Sequence, residues 1–471
     1  IPPDHFISHA ETTGDTGDRE AGGVIELPDG QGRSVLCAGG RGEIDDAAAA
    51  MLAQVLAEGP RWQMIPAYII AGGLLLVWLF QTVGPARPGA APMAHSRVAK
   101  VIATGLAFVG LAVSVALSVA LPVFRLPPPT GPYSIGTVVY HWTDEDRAEV
   151  FSTDFAARRE IIVQIWYPAT KPLVTEPSPY VQDADALWAA QARLHGLPPF
   201  TLTHLGNVTS NVTQMAPVSN DLTAYPVVIF LEGLTGYRQM NSFQVEHLVS
   251  QGYIVAAIDQ PYVAAMVVLP DGRQVAGLSK NQIDPLIRQS IAPTQAAPLL
   301  QGRPFETGII PYLAQDVRFV LDQLAALNGD DPLGRLTGRL DLQSIGVVGV
   351  SIGGIVAGEA CRTEPRLRAC LVMDAPMTAD VVKAGLQQPV MWITRDAATM
   401  QAEGWSQADI DQHQATMRAA FGGAQGAGYF VRMPGMFHAN LTDAPFLSPL
   451  FGWLGVTGPI DPWRAHAIIN A

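Results

Sequence analysis

The chain has 471 residues, of which 48% are hydrophobic and only 15% charged. That length exceeds one ordinary domain and leaves room for an α/β core with additions. A net charge of −13 argues against nucleic-acid binding as the main role.

Residues 1–63 are acidic and rich in Gly and Ala, with little periodicity before a short helical patch at 45–58. They read as a weakly ordered N-terminal extension, and Met64 stands directly ahead of the next segment as a candidate start. Residues 65–84 and 101–124 then carry no charge over about 20 and about 24 positions, each long enough to cross a bilayer. This predicts a two-helix membrane anchor over residues 64–124, with spans at about 65–84 and 101–124. A signal peptide is not expected, because Arg61 is the one nearby positive charge ahead of the first span and no small-x-small cleavage site follows cleanly. The loop between the spans carries Arg87, Arg97 and Lys100, against Arg61 and Arg125 on the outer flanks. The positive-inside bias places that loop in the cytoplasm and everything after Arg125 on the other side. Residues 125–133 form a stiff Pro-rich linker.

From residue 134 to 471 short apolar runs alternate with amphipathic ones. Residues 160–167, 227–231, 253–258, 345–349, 371–373, 390–394 and 429–433 read as strands, and 242–251 and 312–327 as helices. Near-continuous apolar strands alternating with helices predict a mostly parallel sheet covered on both faces. Two insertions break the alternation, at about 178–220 and 261–307. The second opens with a hairpin turning at Pro270-Asp271-Gly272. Both adjoin strand ends where a site would form, so they are candidates for a cap or substrate pocket. Three cysteines cannot build a disulfide framework. Cys361 and Cys370 could pair in an oxidising compartment, but the expectation is two buried free thiols.

The chemistry is carried by Gly349-Val350-Ser351-Ile352-Gly353, a Gly-x-Ser-x-Gly motif directly after an apolar strand and before a small-residue helix. An α/β-hydrolase presents a serine nucleophile on such a turn, and side chains at the glycine positions would collide with neighbouring backbone. A serine hydroxyl needs a base to take its proton, and the base needs an acid to hold its tautomer, in the chain order Ser, Asp or Glu, His. His438 follows the last predicted strand and is the candidate base. His413 lies in a polar helical stretch and reads as solvated surface, and His466 is near the C-terminus. The acid has two candidates, Asp374 after the strand at 371–373 and Asp396 one strand later. Asp396, with Arg395 beside it, can equally be a salt-bridged loop residue. The oxyanion hole needs two backbone N–H donors. Ile352 after the nucleophile and Leu234 in the loop Glu232-Gly233-Leu234-Thr235-Gly236 are the candidates.

Taken together, these motifs resemble the plasma-type (type II) platelet-activating-factor acetylhydrolase family and its bacterial α/β-hydrolase lipase and esterase relatives. The likeness runs from about Gly131 to beyond His438. It is carried by the run from Pro226 to Arg238, by Gln251-Gly-Tyr-Ile-Val-Ala-Ala-Ile-Asp259, by the serine turn, by Leu371-Val-Met-Asp-Ala-Pro-Met377 and by Phe437-His-Ala-Asn-Leu-Thr-Asp443. The resemblance implies Asp374 as the acid, and hydrolysis of short or oxidised acyl esters of lipid-like substrates, such as the sn-2 acetyl group of an ether phospholipid. It implies no metal and no cofactor. Two positions depart from the family pattern. Glu232 stands where the family usually has His, and Val350 where His is common. A carboxylate aimed at the oxyanion would oppose catalysis, so Glu232 is expected to turn outward or to pair with Arg238.

The leading expectation is a membrane-anchored serine ester hydrolase whose partners are a phospholipid or other ester and the lipid bilayer. The alternatives are a general carboxylesterase or polyesterase of the same fold, and a catalytically weak, membrane-tethered binding module.

Overall fold

The structure, a computed structural model, describes residues 40–83, 97–171 and 178–471. Residues 1–39 of the expected extension, with Cys37, and Arg87 of the loop between the spans lie outside the described residues. A nine-stranded sheet forms the centre. In chain order its strands are β1 (Ser134–Ala148), β2 (Arg158–Ala169), β3 (Val212–Gln214), β4 (Tyr225–Leu231), β5 (Ile254–Asp259), β6 (Leu340–Val350), β7 (Leu367–Met373), β8 (Val390–Thr394) and β9 (Gly428–Arg432). Across the sheet they run β9-β8-β7-β6-β4-β5-β2-β1-β3. The strands from β9 to β5 pair in parallel, and β2 lies antiparallel to both β5 and β1. This is the mostly parallel, covered sheet that the strand and helix patterning predicts, in the α/β-hydrolase arrangement expected from the serine motif.

The central strands show why. In β4, Val227, Ile229 and Leu231 enter one hydrophobic cluster with Val320 and Leu324 of the helix Ile310–Gly329 and Ile355 and Val356 of the helix Ile352–Thr363. Val228 and Phe230 enter the opposite cluster with Phe243 and Val249 of the helix Ser242–Ser250 and Ile469 of the helix Pro462–Asn470. A strand buried on both faces needs apolar residues throughout, so its sequence reads as a run and not as an alternation. The strand β1 is absent from the sequence reading for the converse reason. Its second half, His141 to Ala148, is polar and half-exposed, so no apolar run marks it.

The insertions flank the serine end of the sheet. The first holds the helix Ala184–Leu194 and a 3-10 segment Pro199–Asn207, and its last strand, β3, extends the sheet edge. The second opens with the expected hairpin, Met266–Val268 against Gln274–Ala276. Cys361 and Cys370 are joined as a disulfide, which corrects the expectation of free thiols. Cys361 ends the helix behind Ser351 and Cys370 lies in β7; the short turn between them folds the strand back onto the helix and brings their Cα atoms to 6.6 Å.

Ahead of the sheet lie the helix Gly40–Glu58 and two helices, Ile65–Val83 and Arg97–Ala120, that are long and apolar enough to cross a membrane. The chain between them and the sheet is docked onto the domain. Phe124 and Leu126 are buried in a cluster with Tyr180, Trp188 and Leu205 of the first insertion. The Ser448 hydroxyl donates to the Ala120 carbonyl at 2.6 Å, and the Trp62 indole N–H donates to the Thr201 carbonyl at 3.2 Å.

Candidate active site

Ser351 stands between β6 and the helix Ile352–Thr363 with φ +57°. A non-glycine residue in the left-handed region is strained, and such strain clusters at functional turns. The neighbouring glycines are required by contact. A Cβ on Gly349 would sit 2.1 Å from the Gly353 carbonyl oxygen, and one on Gly353 would sit 2.3 Å from that of Leu231. The loop after β4 closes on the serine, since a Cβ on Gly233 would lie 3.4 Å from Ser351 Cβ. Within that loop Thr235 N–H donates to the Val263 carbonyl and Gly236 N–H to the Gly233 carbonyl, each at 2.9 Å. Neither Leu234 N–H nor Ile352 N–H meets a protein acceptor among the described residues.

Asp374, directly after β7, is buried, and its Oδ2 lies 2.5 Å from His438 Nδ1. That contact leaves Nε2 as the free ring nitrogen. Burial by itself would raise the Asp374 pKa, but the His413 ring facing it, the hydrogen bond to His438 and the Arg395 guanidinium together hold it well below the usual carboxylate range. The His438 side chain keeps 31% of its exposure, so a substrate can reach it. Asn440 fixes the histidine loop by accepting from the N–H groups of Phe437 at 2.9 Å and Gly458 at 2.7 Å. Asp396 is placed elsewhere. It caps the helix Ala397–Ala402, with its carboxylate accepting from Thr399 N–H at 2.8 Å. Arg395 turns away from Asp396 and onto Asp374, with Nε 2.7 Å from Oδ2.

Two histidine and carboxylate expectations are corrected. His413 is not solvated: it is 2% exposed, with Nε2 3.5 Å from Asp374 Oδ1, because its polar-looking helix packs one face onto the acid. Glu232 neither turns outward nor pairs with Arg238. Both its carboxyl oxygens are buried without a hydrogen-bond partner, and Arg238 pairs with Asp259 instead. Burial, with Asp259 and Asp443 nearby, pushes the Glu232 pKa well above the carboxylate range and so favours its neutral form.

The sequence reading missed Arg395, Glu403, His413 and Asp443. Asp443 accepts from Ser242 N–H at 2.8 Å, Phe243 N–H at 3.1 Å and the Tyr180 hydroxyl at 2.8 Å. It thereby joins the histidine loop, the helix after the oxyanion-loop candidate, and the first insertion. Burial pushes its pKa up to about 8. Its only sequence signal is its place at the end of the histidine motif.

The model of the family described as platelet-activating factor acetylhydrolase, isoform II, matches residues 120–471. The chain belongs to that family. A platelet-activating factor acetylhydrolase from Gallus gallus is 23% identical over 372 residues, covering 74% of this chain and 81% of the relative. A solved ferulic acid esterase from Streptomyces cinnamoneus shares the fold, with a TM-score of 0.56 and 24% identity over 74% of this chain and 90% of that one. The family match begins at the end of the second apolar helix and takes in every residue of the candidate site, so Ser351, Asp374 and His438 stand within the part that this acetylhydrolase family shares.

Proposed function

We propose that this chain is a serine ester hydrolase that releases short or oxidised acyl groups from lipid-like esters, with residues 134–471 as its catalytic domain and residues 64–124 as a two-helix membrane anchor. The observation that carries the reading is the 2.5 Å contact of His438 Nδ1 with buried Asp374, at the mouth of a sheet whose strained turn presents Ser351. Family membership supports an ester substrate, and the name of the Gallus gallus relative supports an acetylated phospholipid.

The steps follow from the positions. His438 Nε2 takes the Ser351 hydroxyl proton as Oγ bonds to the acyl carbon, and Asp374 stabilises the imidazolium. The oxyanion is met by the N–H groups of Leu234 and Ile352. Collapse expels the alcohol, which takes the proton from Nε2, and water then cleaves the acyl-enzyme by the same route. Glu232 does not oppose this, because a neutral acid places no negative charge beside the oxyanion.

A fluorophosphonate probe tests the reading. The expected result is labelling at Ser351 in the wild type, none in Ser351→Ala, and loss of p-nitrophenyl acetate hydrolysis in the same variant. Asp374→Asn should lower kcat by about 10³–10⁴-fold, whereas Asp396→Asn keeps a side-chain oxygen for the helix cap and should leave both stability and turnover near wild type. Undiminished hydrolysis by Ser351→Ala would sink the mechanism.

A further inference from the structure

Asp374 is pressed by more than His438, and the steps above use none of the additional groups. Arg395, wholly buried after β8, places Nε 2.7 Å from Asp374 Oδ2. Its Nη1 pairs with Glu403, and its guanidinium carbon lies 5.0 Å from the centre of the Trp405 ring. Glu403, at the end of the helix Ala397–Ala402, also accepts from the backbone N–H of His438 at 2.9 Å. The helix Gln407–Gly422 brings His413 Nε2 to 3.5 Å from Asp374 Oδ1, and the Thr394 hydroxyl lies 3.4 Å from the same oxygen. These are the charged and titratable groups that face the acid and base from each packed element.

A fixed guanidinium on the acid has a consequence for the base. The carboxylate favours the imidazolium that forms when Nε2 takes the serine proton, and a positive charge on that carboxylate opposes it. A carboxylate on the far side of the guanidinium restores the balance. We infer that Arg395 and Glu403 are a charge-balanced pair of positioning residues for the hydrolysis. Arg395 fixes the Asp374 carboxylate toward His438 Nδ1, while Glu403 offsets the arginine charge and holds the backbone of His438. This rests on the reading of His438 as the base. Counted by themselves, the two carboxylates of Asp374 and Glu403 and the one guanidinium of Arg395 are net negative, and the proton that His438 takes from the serine balances them. Removing the arginine charge leaves excess negative charge around the imidazolium. Removing the Glu403 charge leaves none to favour it.

The two substitutions therefore have opposite signatures. The measurement is kcat/KM for p-nitrophenyl acetate against pH, using the full chain in detergent. Arg395→Met should move the acidic limb up by about one pH unit and Glu403→Gln down by about one, with a lower maximal rate in each. Arg395→Lys should keep the wild-type limb and recover most of the rate. The midpoint of a limb does not depend on how much protein is folded, so a merely structural role would lower the rate and leave both midpoints in place. Unmoved midpoints, or shifts in the same direction, overturn the inference. Fluorophosphonate labelling of the wild type separates the two readings. Labelling at Ser351 with unmoved limbs rejects the Arg395–Glu403 pair alone, and an unlabelled wild type rejects the pair together with the base that it serves.

Discussion

Glu232 precedes the glycine of the loop that faces Ser351, and it is buried as an acid with no hydrogen-bond partner. Its folded pKa is raised by burial, with Asp259 and Asp443 adding to the effect. The unfolded chain would ionise it in the ordinary carboxylate range, near pH 4 to 5. Between that range and the folded pKa, the folded state binds the extra proton, so stability falls as pH rises. Glu232→Gln removes this slope and keeps the shape. The variant should melt progressively higher than the wild type as pH is raised from 4 to 8, with the gap smallest at pH 4. Paired thermal melts across that range measure it, and a gap independent of pH would show that Glu232 is ionised in the fold. This role was not legible in the sequence, which offered only an acidic residue beside a glycine. Ser351 and His438 were legible because a local motif or a strand end marks each. The two acids were not separable by topology, since each follows a strand. Yet an Asp directly before the helix-favouring Ala397-Ala398 is a preferred N-cap residue, and that is the role Asp396 takes. Arg395, Glu403 and His413 converge on Asp374 from three separate elements, and no local pattern announces such a meeting.

At the scale of elements, burial decided what could be read. β4 and β8 were found because both faces are covered; β1 escaped because half of it is polar. The disulfide escaped for a related reason, because cysteines in a buried helix end and a buried strand look alike whether free or joined. Their closeness depends on how tightly the turn between them folds back. The bridge ties the helix behind Ser351 to β7, whose end carries Asp374. Closing a loop across a sequence separation of 9 restricts the unfolded chain by roughly 2–3 kcal/mol at 25 °C. Replacing both cysteines by Ala should therefore lower the unfolding free energy by about that amount in a urea titration, while p-nitrophenyl acetate turnover below the transition stays close to wild type. A loss of turnover in the fully folded variant would instead mean that the bridge sets the distance between Ser351 and Asp374.

On the scale of the whole molecule, the helices and the domain meet directly. Phe124 stacks on Phe446 with ring centres 6.2 Å apart and meets Tyr180 edge-on at 5.4 Å. Trp62 packs edge-on against Phe200 at 5.4 Å. The Pro-rich stretch read as a spacer thus begins inside the domain's own apolar cluster, which holds the α/β domain against the ends of both helices. If those helices cross a bilayer, the domain sits at its surface. Two independent features favour the side away from the cytoplasm. The basic residues Arg87, Arg97 and Lys100 between the helices outnumber Arg61 and Arg125 on the flanks. A bridge such as Cys361–Cys370 is favoured in an oxidising compartment. In intact cells expressing the full chain, an added protease should degrade the catalytic domain without permeabilisation. In the same cells, Cys361 and Cys370 should resist maleimide labelling until a reductant is supplied under denaturing conditions. Protection from the protease together with labelling of both thiols before reduction would place the domain in the cytoplasm, and the charge count between the helices would then have to yield to another orienting signal.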